Sequence, residues 1–261
     1  MPGSDWLHAD AELLFDCVRE AGALALTLRR QSVRHWAKVD GSQVTDADLK
    51  VDALLAGRLQ RARPSYGWLS EETPDSTDRL ACERLWIVDP IDGTQDFIHR
   101  GIDWCIAAAL IEKGRPVVAA VYRPMRHEFF SAIAGEGAFL DITRLTIADS
   151  ETLAEARIAG NRKSLAALQQ HGISGDVTHG LPLQLRLSYI AAGRLDGAVS
   201  AGNRNDWDLA AGDLIIHEAG GLVSDTTGAQ YIYNRPQPWQ HGLVAAGAKR
   251  HASLIHALRT P

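Results

Sequence analysis

Near the N-terminus, apolar residues recur at helical spacing. Leu13, Leu14, Cys17, Val18, Ala21, Leu24, Ala25 and Leu28 fall on one face and predict a helix over residues 10–30. The same pattern through Leu49, Val51, Ala53, Leu54, Leu55 and Leu59 predicts a helix over 46–61, with Thr45 or Asp46 as its cap. Residues 84–88 form a short apolar run that stops at Asp89-Pro90, the pattern of a strand feeding a loop. Two apolar runs, 105–111 and 117–122, flank Glu112-Lys113-Gly114-Arg115-Pro116 and read as a hairpin. A further strand is expected over 128–132, followed by a turn at Gly135-Glu136-Gly137.

Between residues 140 and 150 the chain turns polar, and a subdomain boundary is placed there, giving units 1–142 and 143–261. Beyond it come a strand at 157–159, a helix at 183–192, a strand at 198–200 and a helix running from Asp208 to Ala219. Gly220-Gly221 closes that helix, and strands follow at 222–224 and 242–246. Helices mixed with hairpins predict an α+β fold of stacked layers rather than a parallel βαβ repeat.

The bulk numbers change this picture little. The chain has 261 residues, 46% of them hydrophobic, and a formal net charge of −5. That charge disfavours duplex nucleic acid as a partner, although a small anion remains compatible because a bound metal reverses the local sign. No run is long and apolar enough to span a membrane, and no signal-peptide pattern opens the chain. Cys17, Cys82 and Cys105 form no C-x-x-C pair, so neither a disulfide framework nor a thiolate zinc site is indicated and a cytoplasmic location is expected.

The densest chemical signal is Trp86-Ile87-Val88-Asp89-Pro90-Ile91-Asp92-Gly93-Thr94-Gln95-Asp96-Phe97. Asp89 and Asp92 lie three residues apart across a proline turn. Two carboxylates held close repel unless a cation lies between them, and hard cations such as magnesium prefer oxygen ligands. The carbonyl of Ile91 belongs to the same loop. Gly93-Thr94 opens a candidate helix whose free N–H groups suit a phosphate. The plain alternative is that Asp-Pro and Asp-Gly are turn residues. Two further acidic segments support the metal reading. Ser70-Glu71-Glu72-Thr73 follows a short apolar stretch and offers Glu71, although a Glu pair alone reads as surface. Asp208, in Asp206-Trp207-Asp208-Leu209-Ala210-Ala211-Gly212, taken alone better suits a helix cap, and the small residues after it would let that helix pack tightly beside the metal loop.

Together, Asp89-Pro90-Ile91-Asp92-Gly93-Thr94, the Glu71-Glu72 pair and Trp207-Asp208-Leu209-Ala210-Ala211-Gly212 resemble the inositol monophosphatase superfamily of metal-dependent, lithium-sensitive phosphatases, from about Leu13 to about Ala257. The resemblance implies an α-β-α-β-α sandwich. It implies one magnesium held by Glu71, Asp89 and the Ile91 carbonyl, a second by Asp89, Asp92 and Asp208, and a weaker third by Glu71 with water. It gives Asp48 and Thr94 the orientation of the attacking water, and Gly93 and Thr94 contact with the phosphate. It also implies inhibition by lithium and, since the family often dimerises, a homodimer.

Family members acting on inositol phosphates carry a glutamate seven residues before the last aspartate of the Trp-Asp motif; here that position is Ala201. Gln95-Asp96-Phe97-Ile98 is similar to the matching segment of bacterial 3′(2′),5′-bisphosphate nucleotidases, so adenosine 3′,5′-bisphosphate is the expected substrate, with inositol 1-phosphate or another polyol phosphate as the alternative. Arg123, Arg126, Arg162 and Lys163 read as surface cations, whereas Arg204, just before Asp208, is the candidate for a second phosphate. A non-catalytic cation sensor is the rival of another class, opposed by the presence of Thr94 and Asp48; a calcium module lacks its EF-hand loop.

Overall fold

The computed structural model describes residues 5–31, 33–39, 41–148, 150–169 and 181–259. Helix α1 (Asp5–Arg29) leads into a short hairpin, β1 (His35–Ala37) and β2 (Gln43–Thr45), and then α2 (Asp46–Ala62). Thr45 caps α2 as expected: its Oγ1 accepts from the amides of Ala47 and Asp48, and its own amide donates to the Asp48 carboxylate at 2.9 Å. This reciprocal arrangement satisfies helix-end donors and fixes the Asp48 side chain.

Seven strands form the larger sheet, in sequential order: β3 (Gly67–Ser70), β4 (Arg84–Asp92), β5 (Cys105–Glu112), β6 (Arg115–Arg123), β7 (Glu128–Ile133), β8 (Gly137–Leu140) and β9 (Thr143–Arg144). The expected β5–β6 hairpin is present, and only β3 and β4 run parallel. Residue 143, just past the expected boundary, opens β9, which pairs with β8 in this same sheet. The second sheet has the order β10 (Ile158–Gly160), β11 (Gly197–Asn205), β13 (Trp239–Gly247), β12 (Gly221–Ser224). Helices α4 (Arg162–Gln169), α5 (Leu183–Ala191), α6 (Ala210–Glu218) and α7 (Ala248–Arg259) complete the main elements, with a short α3 (Thr94–Ile98) after β4.

Alternation along the strands sorts these elements into layers. In β4, Trp86 and Val88 pack with Leu14, Val18, Val51 and Leu55 of α1 and α2. Leu85 and Ile87 face the other way, onto Leu185, Leu187, Leu214 and Ile215 of α5 and α6. Ala198 and Ala245 of the second sheet close over those helices, while Val199 and Val244 pack with Leu165 and Leu254 of α4 and α7. The result is the α-β-α-β-α sandwich.

Two local expectations are corrected. The β4 strand does not stop before Asp89-Pro90 but runs on to Asp92, with a bulge between Asp89 and Asp92 that takes Pro90, which has no N–H to donate, out of the ladder. The helix expected from Asp208 begins at Ala210; residues Asp206–Asp208 form a separate 3-10 turn. At Gly212 the close packing is against α5, since a methyl there would come within 2.5 Å of Leu187.

Candidate metal centre

Register explains how the acidic residues meet. β3 and β4 are parallel, with Ser70 beside Val88, and the Glu71 amide donates to the Val88 carbonyl at 3.3 Å. The residues that follow, Glu71 and Asp89, therefore emerge side by side from the carboxyl ends of adjacent strands. Asp89 lies two positions past Ile87, so it faces the middle helix layer, on the side from which Asp208 arrives. Its surroundings reflect this. Asp89 is 2% exposed, and burial pushes its carboxyl well above the usual range. The negative charges of Glu71, Asp92, Asp208 and Asp48 push it in the same direction. The four carboxylates assigned to metals thus share one electrostatic site.

Three of them are held by bonds of their own. Asp92 accepts the Gln184 amide, at the start of α5, at 2.8 Å. Asp208 accepts the Asn205 amide at 2.9 Å. Burial raises both carboxyls to about 7. Glu71 accepts from Lys38 Nζ at 2.9 Å, and the same ammonium lies 2.7 Å from Glu72. Tied this way, the carboxylates do not close on one point, and among the described residues no three Asp, Glu, His or Cys side chains are grouped around a common ion position. Even so, Asp89 Oδ1 is buried with no hydrogen-bond partner. A buried carboxylate oxygen without a donor, among carboxylates that repel it, has the chemistry that a hard divalent cation would satisfy.

Thr94 links this cluster to Asp48. Its Oγ1 lies 3.1 Å from Asp48 Oδ1 and 3.1 Å from the Ile91 carbonyl oxygen, so its single proton can go to either. Asp48 is 1% exposed, and burial raises it to about 6. Gly93 has φ 97°, and a methyl there would come within 2.6 Å of Pro182 and 2.8 Å of the Asp103 carbonyl. Only glycine fits that turn.

Ala201 is exposed and brings no carboxylate to the site. Of the surface cations expected, Arg123 is buried and bonded to Asp103, Glu128 and Tyr189, so it serves the fold. Arg126 and Lys163 are exposed, and the side chain of Arg162 lies outside the described residues. Arg204 lines a cavity together with Asp208.

Three residues here escaped the sequence reading. Lys38 sits at the β1–β2 hairpin, which has no periodic signal. Asp52, four residues after Asp48 and so on the same helix face, accepts from Ser70 Oγ at 2.5 Å and Thr73 Oγ1 at 2.6 Å, tying the Glu71 loop to α2. Gln184 is fully buried, and its side chain donates to the Trp207 carbonyl at 2.7 Å and accepts from the Gly212 amide at 2.8 Å. The Asp48/Asp52 spacing and a lone glutamine in an apolar helix were the available signals.

Known proteins share this architecture. The model of the inositol monophosphatase family matches residues 6–260. An inositol-1-monophosphatase of Mesorhizobium japonicum is 32% identical over 242 residues, covering 88% of this chain and 88% of that protein. The Nus factor SuhB of Escherichia coli K12 is 36% identical, covering 85% of this chain and 87% of that protein. A solved IMPase/NADP phosphatase complexed with Mg2+ and phosphate aligns with a TM-score of 0.87 over 98% of this chain and 97% of that one; at 22% identity this is a likeness of fold. Carboxylates gathered at the ends of β3 and β4, a family match over nearly the full length and relatives of more than 30% identity lead to one conclusion: this chain belongs to the inositol monophosphatase family.

Proposed function

We propose that this family phosphatase depends on magnesium and hydrolyses a small phosphate monoester by attack of water. The observation that carries the reading is Asp89 Oδ1, buried and partnerless among carboxylates. Glu71, Asp89 and the Ile91 carbonyl would hold one ion, and Asp89, Asp92 and Asp208 a second, with a weaker third at Glu71. Bound there, magnesium would supply positive charge against the charge developing on phosphate oxygens and make water more acidic.

The remaining work falls to the chain. Asp48 Oδ1 takes the proton of the attacking water by way of the Thr94 hydroxyl, 3.1 Å away. A carboxyl raised to about 6 is a stronger base than an exposed aspartate and is still ionised at neutral pH. The amides of Gly93 and Thr94 orient the phosphate, and the lack of a side chain at Gly93 leaves the backbone open to its approach. In this reading residues 1–142 and 143–261 are two subdomains that close on the site. The first supplies Asp48, Glu71, Asp89, Asp92 and Thr94, and the second supplies Asp208.

For the ester itself we propose adenosine 3′,5′-bisphosphate. The supports are Gln95-Asp96-Phe97-Ile98 and the absence of a carboxylate at Ala201 to bind sugar hydroxyls. The Mesorhizobium relative's name makes inositol 1-phosphate the second substrate to assay. The test is phosphate release from both esters with and without magnesium. Release that requires magnesium and is blocked by lithium is expected. Magnesium binding without release from either ester would make the chain a cation sensor instead.

A further inference from the structure

Beside the acidic cluster lies a cavity of about 270 Å³, with Arg186, Arg204, Ser200 and Asp208 among its lining and apolar walls at Leu183 and Leu243. It is formed where α5 meets β11. Arg186 stands two residues after Gln184, the residue that pins α5 to Asp92. Its Nε donates to the Leu181 carbonyl at 2.6 Å, which holds the guanidinium against the cavity wall. Arg204 follows a bulge in β11 between Ser200 and Asn203. Its Nη2 donates to Ser200 Oγ at 2.6 Å and its Nη1 to the Asn203 carbonyl at 2.8 Å. Bulges re-aim side chains, and here the re-aimed residue is an arginine.

Two guanidinium groups in one small cavity of an acidic protein require a reason. Burial lowers Arg186 from its ordinary value, the charge of Asp92 opposes that shift, and nearness to Arg204 adds to it. The carboxylates within electrostatic range, Asp92 and Asp208, already accept backbone N–H groups from Gln184 and Asn205. An arginine presents five N–H donors in a planar fork suited to phosphate oxygens, and Arg204 spends two of them on Ser200 and Asn203. Apolar walls beside the fork suit the body of an ester carrying the second charge.

We propose that Arg186 and Arg204 together seat a second phosphate of the substrate, separated from the scissile one by the body of the ester, and so select bisphosphorylated esters. This rests on the reading of the adjacent carboxylates as a phosphatase site. The competing role is charge balance: the two arginines would only offset Asp92 and Asp208, and their removal would then tighten magnesium binding and affect all esters alike.

The experiment compares adenosine 3′,5′-bisphosphate with adenosine 3′-monophosphate at saturating magnesium, for the wild type and for Arg186→Met, Arg186→Lys and Arg204→Met. Methionine keeps the apolar stem that packs in the wall, which protects folding. Each methionine variant is expected to lose on the order of tenfold or more in kcat/KM for the bisphosphate beyond its loss for the monophosphate, mostly in KM, as charge-assisted hydrogen bonds predict. Arg186→Lys should recover part of it. Equal losses on both esters, or tighter magnesium binding as the only change, would overturn the proposal. A wild type that binds the bisphosphate more tightly than the monophosphate yet hydrolyses neither would uphold the seat while removing the hydrolase reading.

Discussion

Asp89 is the residue least at ease without a cation. Its carboxyl is buried, repelled by four neighbours and partnerless at one oxygen. Replacing it by asparagine keeps the shape and removes the charge that the proposed metal site needs. Asp89→Asn is expected to lower kcat by about a hundredfold or more with the fold retained. The same change should raise the melting temperature of the metal-free protein at pH 8 and shrink the further rise that magnesium brings, both readable by thermal melts. A fall in the metal-free melting temperature would contradict the crowding of charge described above. His251 provides a separate prediction about pH. Ser224 Oγ donates to the Asp225 carbonyl and lies 2.7 Å from His251 Nε2, so it accepts from that nitrogen. Burial holds the imidazole below its ordinary value. A group lowered in this way contributes stability that is complete above about pH 6.5 and lost as pH falls through the folded-state value. With magnesium saturating, acidification from pH 7.5 to 5 should destabilise the wild type more than His251→Gln; parallel denaturation curves would refute it.

Among the elements, α5 does most to assemble the site from distant parts of the chain. The Gln184 amide, otherwise an open helix-end donor, goes to Asp92, and its side chain holds the turn before Asp208 and the start of α6. Gln184→Leu would leave the Trp207 carbonyl and Gly212 amide without partners, a loss of about 1–3 kcal/mol for each buried group. Denaturant titration should show that loss, with a smaller change in magnesium affinity because the backbone bond to Asp92 survives. Asp52→Ala should do the converse: release of Ser70 and Thr73 loosens the Glu71 loop, so the magnesium requirement for turnover rises. Such links were poorly legible in the sequence. Apolar period recovered α1, α2 and the β5–β6 hairpin, because each buries one regular face. The same signal stopped β4 at Asp89, since a proline normally ends a ladder, and it missed α7, whose buried Arg250 and His251 interrupt the apolar stripe. Only Asp89 and Asp92 among the candidate metal carboxylates are close in the chain, and the ligands were named through the family resemblance of three motifs. Lys38 and Gln184 were not, because their roles exist only across elements.

At the scale of the molecule, five layers pack face to face. The core that unites Leu85 and Ile87 with Leu214 also contains Ala198 and Ala245 from the second sheet. The two halves are therefore expected to unfold together. Tryptophan fluorescence and far-ultraviolet circular dichroism should trace coincident thermal transitions, and two separated transitions would disprove it.

The central helices have a further consequence. α5 and α6 are enclosed by a sheet on each side, and residues 210–216 are buried without exception. An outer helix such as α1 can trade a solvent-side residue at little penalty, but the middle pair has few such positions, His217 being the exposed one in α6. Substitution tolerance should therefore run from permissive at the outer helices to nearly closed at the centre. Homologues of this protein would then diverge from the outside inward, with the helices that aim the carboxylates the last to change.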